Sequence, residues 1–68
     1  MSIMHDVWTL FYVGSTRNIQ LGERHGADAS YKEARYLTKK YGVVSMMNTR
    51  TGELRQVLSD GTEKKIVF

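Results

Sequence analysis

Short apolar runs separated by polar turns and glycines divide this 68-residue chain into strand-like segments around one helix-like segment. The first run, Val7–Val13, is dense in β-branched and aromatic residues, which predicts a β-strand. Three later segments, Val43–Asn48, Glu53–Leu58 and Glu63–Phe68, are separated by short turns that contain glycine. These segments predict three strands joined by tight hairpin turns, with each glycine at positive φ.

The segment Ser30–Gly42 has the residue spacing of an amphipathic helix, which we predict over about residues 30–41. Ser30 and Glu33 have the spacing of a capping box, in which each side chain accepts a hydrogen bond from the backbone of the other residue. Gly42 stands where helices commonly end in a residue with positive φ. The face predicted to be buried consists of Ala34, Leu37 and Tyr41.

Residues 14–27 hold three glycines and only a short alternation of apolar residues. We interpret them as a loop or a weak edge strand at Arg17–Leu21, followed by a glycine-flanked turn. The expected fold is therefore a single small α+β domain that covers residues 1–68. Its N-terminal strand stands alone or in a β-hairpin, and a three-stranded antiparallel meander packs on the one helix.

The turn at residues 59–61 decides the predicted faces of the last two strands, because a slip of one residue exchanges the two faces of a strand. As a three-residue loop it places Leu58 opposite Thr62 and Leu54 opposite Ile66. The face predicted to lie under the helix holds Val44, Met46, Leu54, Leu58, Ile66 and Phe68. The opposite face is predicted to hold Val43, Met47, Arg55, Val57, Lys65 and Val67.

On that opposite face the predicted register sets Arg55 directly against Lys65. Like charges in this position destabilise a sheet unless something anionic lies over them. A face that is partly apolar and partly basic indicates a surface for a partner or for self-association. Together with Lys64, the two cations form an alternative contact surface for a nucleic acid.

Basic residues are concentrated on the predicted helix. The chain carries ten Lys and Arg against seven Asp and Glu, a net charge of +3 at pH 7. Residues 30–41 hold four of these cations and one acid, so the helix alone matches the net charge of the chain. This distribution indicates an anionic partner surface. The predicted partner-binding residues are Lys32, Arg35, Tyr36, Lys39 and Lys40, with Tyr36 and Trp8 expected to be at least partly exposed.

Residue types that carry catalysis or bind metals are scattered along the chain. It has no cysteine, and neither His5 nor His25 has an acid at ligand spacing. The seven acids stand singly rather than in pairs suited to acid–base catalysis. Tyr12, Val13 and Gly14 resemble the second half of the GIY-YIG nuclease motif, but the GIY element that precedes it in that family is absent. We therefore predict no enzyme activity, no metal and no cofactor.

The apolar start of the chain predicts a strand rather than a signal peptide, because the run is short and no Lys or Arg leads it. No segment approaches the roughly 20 apolar residues of a membrane-spanning helix. The absence of cysteine is compatible with a cytoplasmic protein. We expect no membrane partner.

These patterns favour a non-catalytic protein-interaction module that binds a larger host protein or nucleoprotein complex through its basic helix. In size and topology such a domain resembles the small phage-encoded inhibitors of the anti-CRISPR and host-takeover classes, which implies stoichiometric occlusion of a target. Two alternatives stay open. One is a sequence-independent binder of DNA or RNA, and the other is a structural homodimer that buries the free sheet face around Val57 and Val67.

Overall fold

A computed structural model, which describes residues 6–66, shows one five-stranded antiparallel sheet with one helix packed on one of its faces. The elements in chain order are β1 (Val7–Val13), β2 (Asn18–His25), α1 (Ala27–Tyr41), β3 (Val43–Asn48), β4 (Leu54–Leu58) and β5 (Glu63–Ile66). The strand order in the sheet is β2-β1-β3-β4-β5. The predicted α+β fold is confirmed, with an N-terminal β-hairpin, one helix and a three-stranded meander packed on it.

β2 is longer than the predicted edge strand because a β-bulge lets the strand continue. The register between β1 and β2 shifts between Leu10 and Phe11, which leaves Leu21 as the extra residue on β2. Leu21 packs against the core on the helix side of the sheet. Residues 22–25, predicted as part of a turn, therefore belong to the strand.

The helix begins three residues before its predicted start, and Ser30 is not its cap. Gly26 occupies the N-cap position without a side-chain hydrogen bond. Ser30 is buried inside the helix, where its Oγ donates a hydrogen bond to the carbonyl oxygen of Gly26 at 2.7 Å. Glu33 forms an ion pair with Arg24 of β2 at 3.4 Å. The predicted capping box is therefore wrong, whereas Gly42 ends the helix at φ 86° as expected.

The helix lies against the centre of the sheet through small side chains. Ala34 is fully buried, and Ser30 and Thr38, one turn before and after it, are buried as well. Leu37 and Tyr41, predicted as the centre of the buried face, are half-buried and pack at the margin of the core. The core under the helix consists of Trp8, Leu10, Ala34, Val44, Met46 and Val57.

The turn between β3 and β4 reverses the predicted faces of β4. Four residues, 49–52, separate the paired ends of the two strands, so Val44 pairs with Val57. An even-numbered residue of β3 therefore shares a face with an odd-numbered residue of β4. Val57 lies under the helix at 0% exposure, and Leu54 and Leu58 lie on the other face, which corrects the prediction.

The predicted register of the last hairpin is confirmed. Leu54 pairs with Ile66, and Gly61 has the positive φ of 91° expected of the three-residue loop. Because β4 and β5 keep this register, Ile66 shares the face of Leu54, away from the helix. Val67 and Phe68, which the sequence pattern also assigned to faces, lie outside the described residues.

No helix or strand among residues 6–66 packs against the face of the sheet opposite α1. We call this surface the open sheet face. Its three inner strands, β1, β3 and β4, carry no charged side chain on it, and the Arg55–Lys65 pair predicted on it lies on the helix side instead. The open sheet face carries the apolar side chains of Phe11, Val13, Val43, Met47, Leu54, Leu58 and Ile66.

Truncation of Val57 tests the register of β4. Val57→Ala should lower the free energy of unfolding by about 2–3 kcal/mol, because it removes buried methyl groups and leaves a cavity. Val43→Ala is the matched control, since Val43 is 37% exposed on the open sheet face, and it should cost less than about 1 kcal/mol. Urea unfolding of both variants measures the difference. Equal losses, or a larger loss for Val43→Ala, would contradict the register.

Candidate functional site

Five residues of α1 form an exposed surface that we call the basic helix face: Lys32, Arg35, Tyr36, Lys39 and Lys40. The burial of Ala34 and its neighbours against the sheet turns these side chains toward solvent. Tyr36 is 66% exposed, as predicted. All five predicted partner-binding residues are therefore accessible on one element.

Four of these residues line an open groove of about 600 Å³ along the helix. The groove is bounded by Asp28, Tyr31, Lys32, Arg35, Tyr36 and Lys39. The sequence pattern missed Asp28 because the helix was predicted to begin after it. A helix that begins at Ala27 places Asp28 four residues before Lys32, on the same side of α1.

The turn between β4 and β5 packs against the groove and fixes part of it. The Tyr31 hydroxyl donates a hydrogen bond to the carbonyl oxygen of Gly61 at 2.5 Å. The guanidinium of Arg35 packs against Gly61. A Cβ atom added to Gly61 would lie 3.3 Å from the Cζ atom of Arg35. Sequence reasoning missed this contact, since it joins residues about 30 positions apart and no local spacing signals it.

Lys39 and Lys40 point to different sides of the helix. The Lys39 Nζ lies 5.6 Å from the centre of the Tyr36 ring, within cation–π range. The Lys40 Nζ lies 5.4 Å from the centre of the Tyr41 ring, which itself packs against Tyr12 at a centroid distance of 5.2 Å. Lys39 therefore belongs to the groove, and Lys40 lies outside it at the margin of the core.

The basic helix face holds most of the cations that lack an intramolecular partner. Arg24, Arg50, Arg55 and Lys65 each form an ion pair with an acid. Within residues 6–66, the cations without an ion pair are Arg17, Lys32, Arg35, Lys39, Lys40 and Lys64. Four of these six lie on α1, so the unpaired positive charge of the fold is concentrated there.

Arg55 is neutralised inside the fold rather than by an external anion. It does pair with Lys65 in the register, as predicted. Its Nε donates to Glu53 at 2.7 Å, and its Nη1 donates to Glu63 at 2.6 Å. The Cζ atom of Arg55 also lies 4.9 Å from the centre of the Trp8 ring, which the guanidinium covers. Trp8 is only 3% exposed, so the prediction that it is partly exposed is wrong.

These contacts shift the ionisation of both partners. The hydrogen bond from Arg55 holds the pKa of Glu53 below its ordinary value of 4.5. The same hydrogen bond raises the pKa of Arg55. Glu53 and Arg55 therefore form a charged pair at neutral pH, and no external anion is needed at this position.

The alternative contact residues Arg55, Lys64 and Lys65 do not form one surface. Arg55 and Lys65 lie on the helix side of the sheet, where both form ion pairs with Glu53. Lys64 pairs with Gln56 and lies on the open sheet face. The fold therefore does not bring these three cations, which were grouped from the sequence, onto one surface.

Residue types suited to catalysis or metal binding form no site within residues 6–66. No group of three His, Asp or Glu side chains there is arranged to hold a metal ion. His25 is exposed at the end of β2, and His5 lies outside the described residues. Every buried side-chain nitrogen and oxygen in this part of the chain has a hydrogen-bond partner.

No family model matches the sequence, and no curated protein or solved structure is significantly similar to it. Among residues 6–66, no helix has the length and apolar character needed to cross a membrane.

Acidification tests the Glu53–Arg55 pair. Because the pKa of Glu53 is lowered by folding, the pair stabilises the fold above pH 4.5 and loses its effect as the pH falls through the lowered pKa. Glu53→Gln should therefore reduce the free energy of unfolding at pH 7, and its difference from the wild type should shrink well below pH 4.5. Urea unfolding at several pH values measures this. A difference that stays constant with pH would contradict the pair.

Proposed function

We propose that this chain is a non-catalytic protein-interaction module that binds an acidic surface of a larger protein through its basic helix face. The observation that carries the proposal is the concentration on α1 of exposed cations without intramolecular ion pairs. Cations on the sheet are mostly paired with acids of the same chain. A partner that presents carboxylates along one surface complements this distribution.

The geometry of the groove favours binding because part of it is already ordered. Arg35 packs against the turn at Gly61, and Lys39 lies over the ring of Tyr36. Side chains that are held in place before binding lose less conformational entropy when a partner docks. Tyr and Arg are also the residue types that most often carry the binding energy of protein interfaces. Arg35 and Tyr36 are therefore the proposed anchors of the contact.

The mode of action we propose is stoichiometric occlusion, in which the small domain covers a working surface of its target. The class we propose is that of phage-type inhibitors, the anti-CRISPR and host-takeover proteins, and it rests on size and topology. The natural target of such a basic helix is a surface that itself presents carboxylates. The expected compartment is the cytoplasm.

Direct binding to nucleic acid is supported less well by the arrangement of charges. Lys32, Arg35 and Lys39 extend over about 10 Å of helix, which corresponds to only a few phosphates. Arg55 and Lys65 are occupied by Glu53 and do not extend this line. A duplex binder that neutralises three phosphates would show a slope of about −2.7 in log affinity against log salt concentration.

Charge reversal on the helix tests the proposal. The double variant Lys32→Glu/Lys39→Glu should weaken binding to the captured partner by at least about 100-fold, because like charges then oppose each other across the interface. The measurement is a tagged pull-down from bacterial lysate with and without nuclease, followed by affinity measurement with the recovered protein. The circular dichroism spectrum should be unchanged, since both side chains are exposed.

The matched control is Arg17→Glu, which is compared with the single helix variant Lys39→Glu. Both single variants change the net charge from +3 to +1, since each substitution removes two units of charge. Arg17 is an exposed cation without an ion pair in the described chain, but it lies away from α1. Retained binding in the control and loss in the helix variant support the proposal. Equal loss in both variants, or recovery that disappears with nuclease, would overturn it.

A further inference from the structure

The open sheet face exposes most of the large hydrophobic side chains that reach the surface within residues 6–66. The large hydrophobic residues classed as exposed there are Val13, Tyr36, Val43 and Met47. Three of the four lie on the open sheet face, on the neighbouring strands β1 and β3. We infer that this face is the interface of a homodimer, in which a second copy of the chain packs sheet to sheet.

Apolar residues on the open sheet face are contiguous across several strands. Met47 of β3 pairs with Leu54 of β4, which in turn pairs with Ile66 of β5. Val43 pairs with Leu58 in a second row. Between these two apolar rows lies a row of polar residues, Ser45, Gln56 and Lys64. Exposed apolar rows of this kind are typical of a sheet that packs on another layer.

The charges on the open sheet face favour a second copy as the occupant. The three inner strands place no charged residue on this face, whereas Glu23 on β2 and Lys64 on β5 lie on it at opposite edges of the sheet. His25 lies at the end of β2 on the same face. A two-fold axis parallel to the strands lays β5 of one copy over β2 of the other. Each Lys64 then lies one row of pairs, about 7 Å along the strands, from Glu23 of the second copy, within reach of two long side chains, and this attraction forms twice.

Edge-to-edge association of the same sheet is disfavoured by both of its edges. β2 is bent by the bulge at Leu21, which interrupts a regular row of free backbone groups. β5 has only four residues and carries Lys64 and Lys65. Bulges, short strands and lysines are features that prevent strand pairing between molecules. Packing through the face is therefore the mode of association that the sheet permits.

The size of the open sheet face indicates a weak dimer. Five strands are about 24 Å wide, and five residues along each strand span about 17 Å, which gives about 400 Å² in projection for each copy. The two copies together thus contribute about 800 Å², which is below the roughly 1,200–2,000 Å² found in stable interfaces. We therefore expect a dimer that dissociates in the micromolar range.

Sedimentation equilibrium of the wild type and of Met47→Lys tests the inference. The wild type should pass from 7.8 kDa toward twice that mass over about 1 µM to about 1 mM. Met47→Lys should raise the dissociation constant by at least about 30-fold, because it buries an unpaired charge at the centre of the interface. Tyr36→Lys is the matched control, as it adds the same charge at an exposed apolar residue on the helix, and it should leave the mass unchanged.

A single-cysteine probe locates the contact independently of these substitutions. The natural chain has no cysteine, so Met47→Cys introduces the only thiol. Because β3 is the central strand, the two copies of Met47→Cys should lie close enough for a short bismaleimide to link them, and Tyr36→Cys should not be linked. Linkage at Tyr36→Cys in place of Met47→Cys would overturn the inference.

The dimer and the proposed partner binding can fail independently of each other, because different variants test them. Lys32→Glu/Lys39→Glu lies on the opposite side of the molecule and should keep the dimer mass even where it loses the partner. Folding of each variant is checked by urea unfolding. A wild type that stays at 7.8 kDa up to about 1 mM would overturn the dimer, and the face would then belong to a different protein.

Discussion

The side-chain amide of Asn48 holds the turn that decides which residues of the sheet lie under the helix. Its Oδ1 accepts hydrogen bonds from the backbone N–H groups of Arg50 at 2.8 Å and Thr51 at 3.1 Å. Its Nδ2 donates to the carboxylate of Asp6 at 2.9 Å. Asn48 is 3% exposed, so these bonds satisfy a buried amide while they shape the turn. With Gly52 at φ 79°, they define a connection of four residues between β3 and β4.

The length of that turn has consequences on both faces of the sheet. On the helix side it places Arg55 in β4 between Glu53 and Glu63, where the guanidinium is fully paired. On the other side it leaves Leu54 and Leu58 together with Met47. A turn shorter by one residue would reverse both arrangements, because each residue of β4 would then change face. The division of β4 into a charged side under the helix and an uncharged side on the open sheet face thus depends on one loop length.

Sequence patterns predicted the elements of the fold well and their relative faces less well. β1 and β3 were predicted at the bounds that the structure shows, because β-branched and aromatic residues define them locally. The register of the last hairpin was also predicted, since a three-residue loop that ends in Gly61 was identified from the sequence. The faces of β4 were predicted wrongly although the predicted strand bounds already leave residues 49–52 as the turn, since a four-residue turn held by the buried amide of Asn48 pairs Val44 with Val57.

The predictable parts of the candidate site are those that local residue spacing sets. The exposed cations of α1 follow helical spacing, so their common surface could be read from the sequence. The start of the helix could not be read from the sequence, because Ser30 has the features of a cap but is a small buried residue. Its hydroxyl donates a hydrogen bond to the carbonyl oxygen of Gly26 in the preceding turn. The contact of Arg35 with Gly61 is a tertiary contact and has no local signal.

The separation of charge and apolar surface makes the two proposed contacts compatible in one assembly. In a sheet-to-sheet dimer both helices lie on the outside, so neither basic helix face is covered. Layers about 10 Å apart place the two helices roughly 30 Å from each other. A single rigid partner can bind both only where its acidic surfaces match this separation, and binding then gains from avidity. On a partner without such spacing, each helix binds a separate molecule, and a dimer of this small domain holds two targets together.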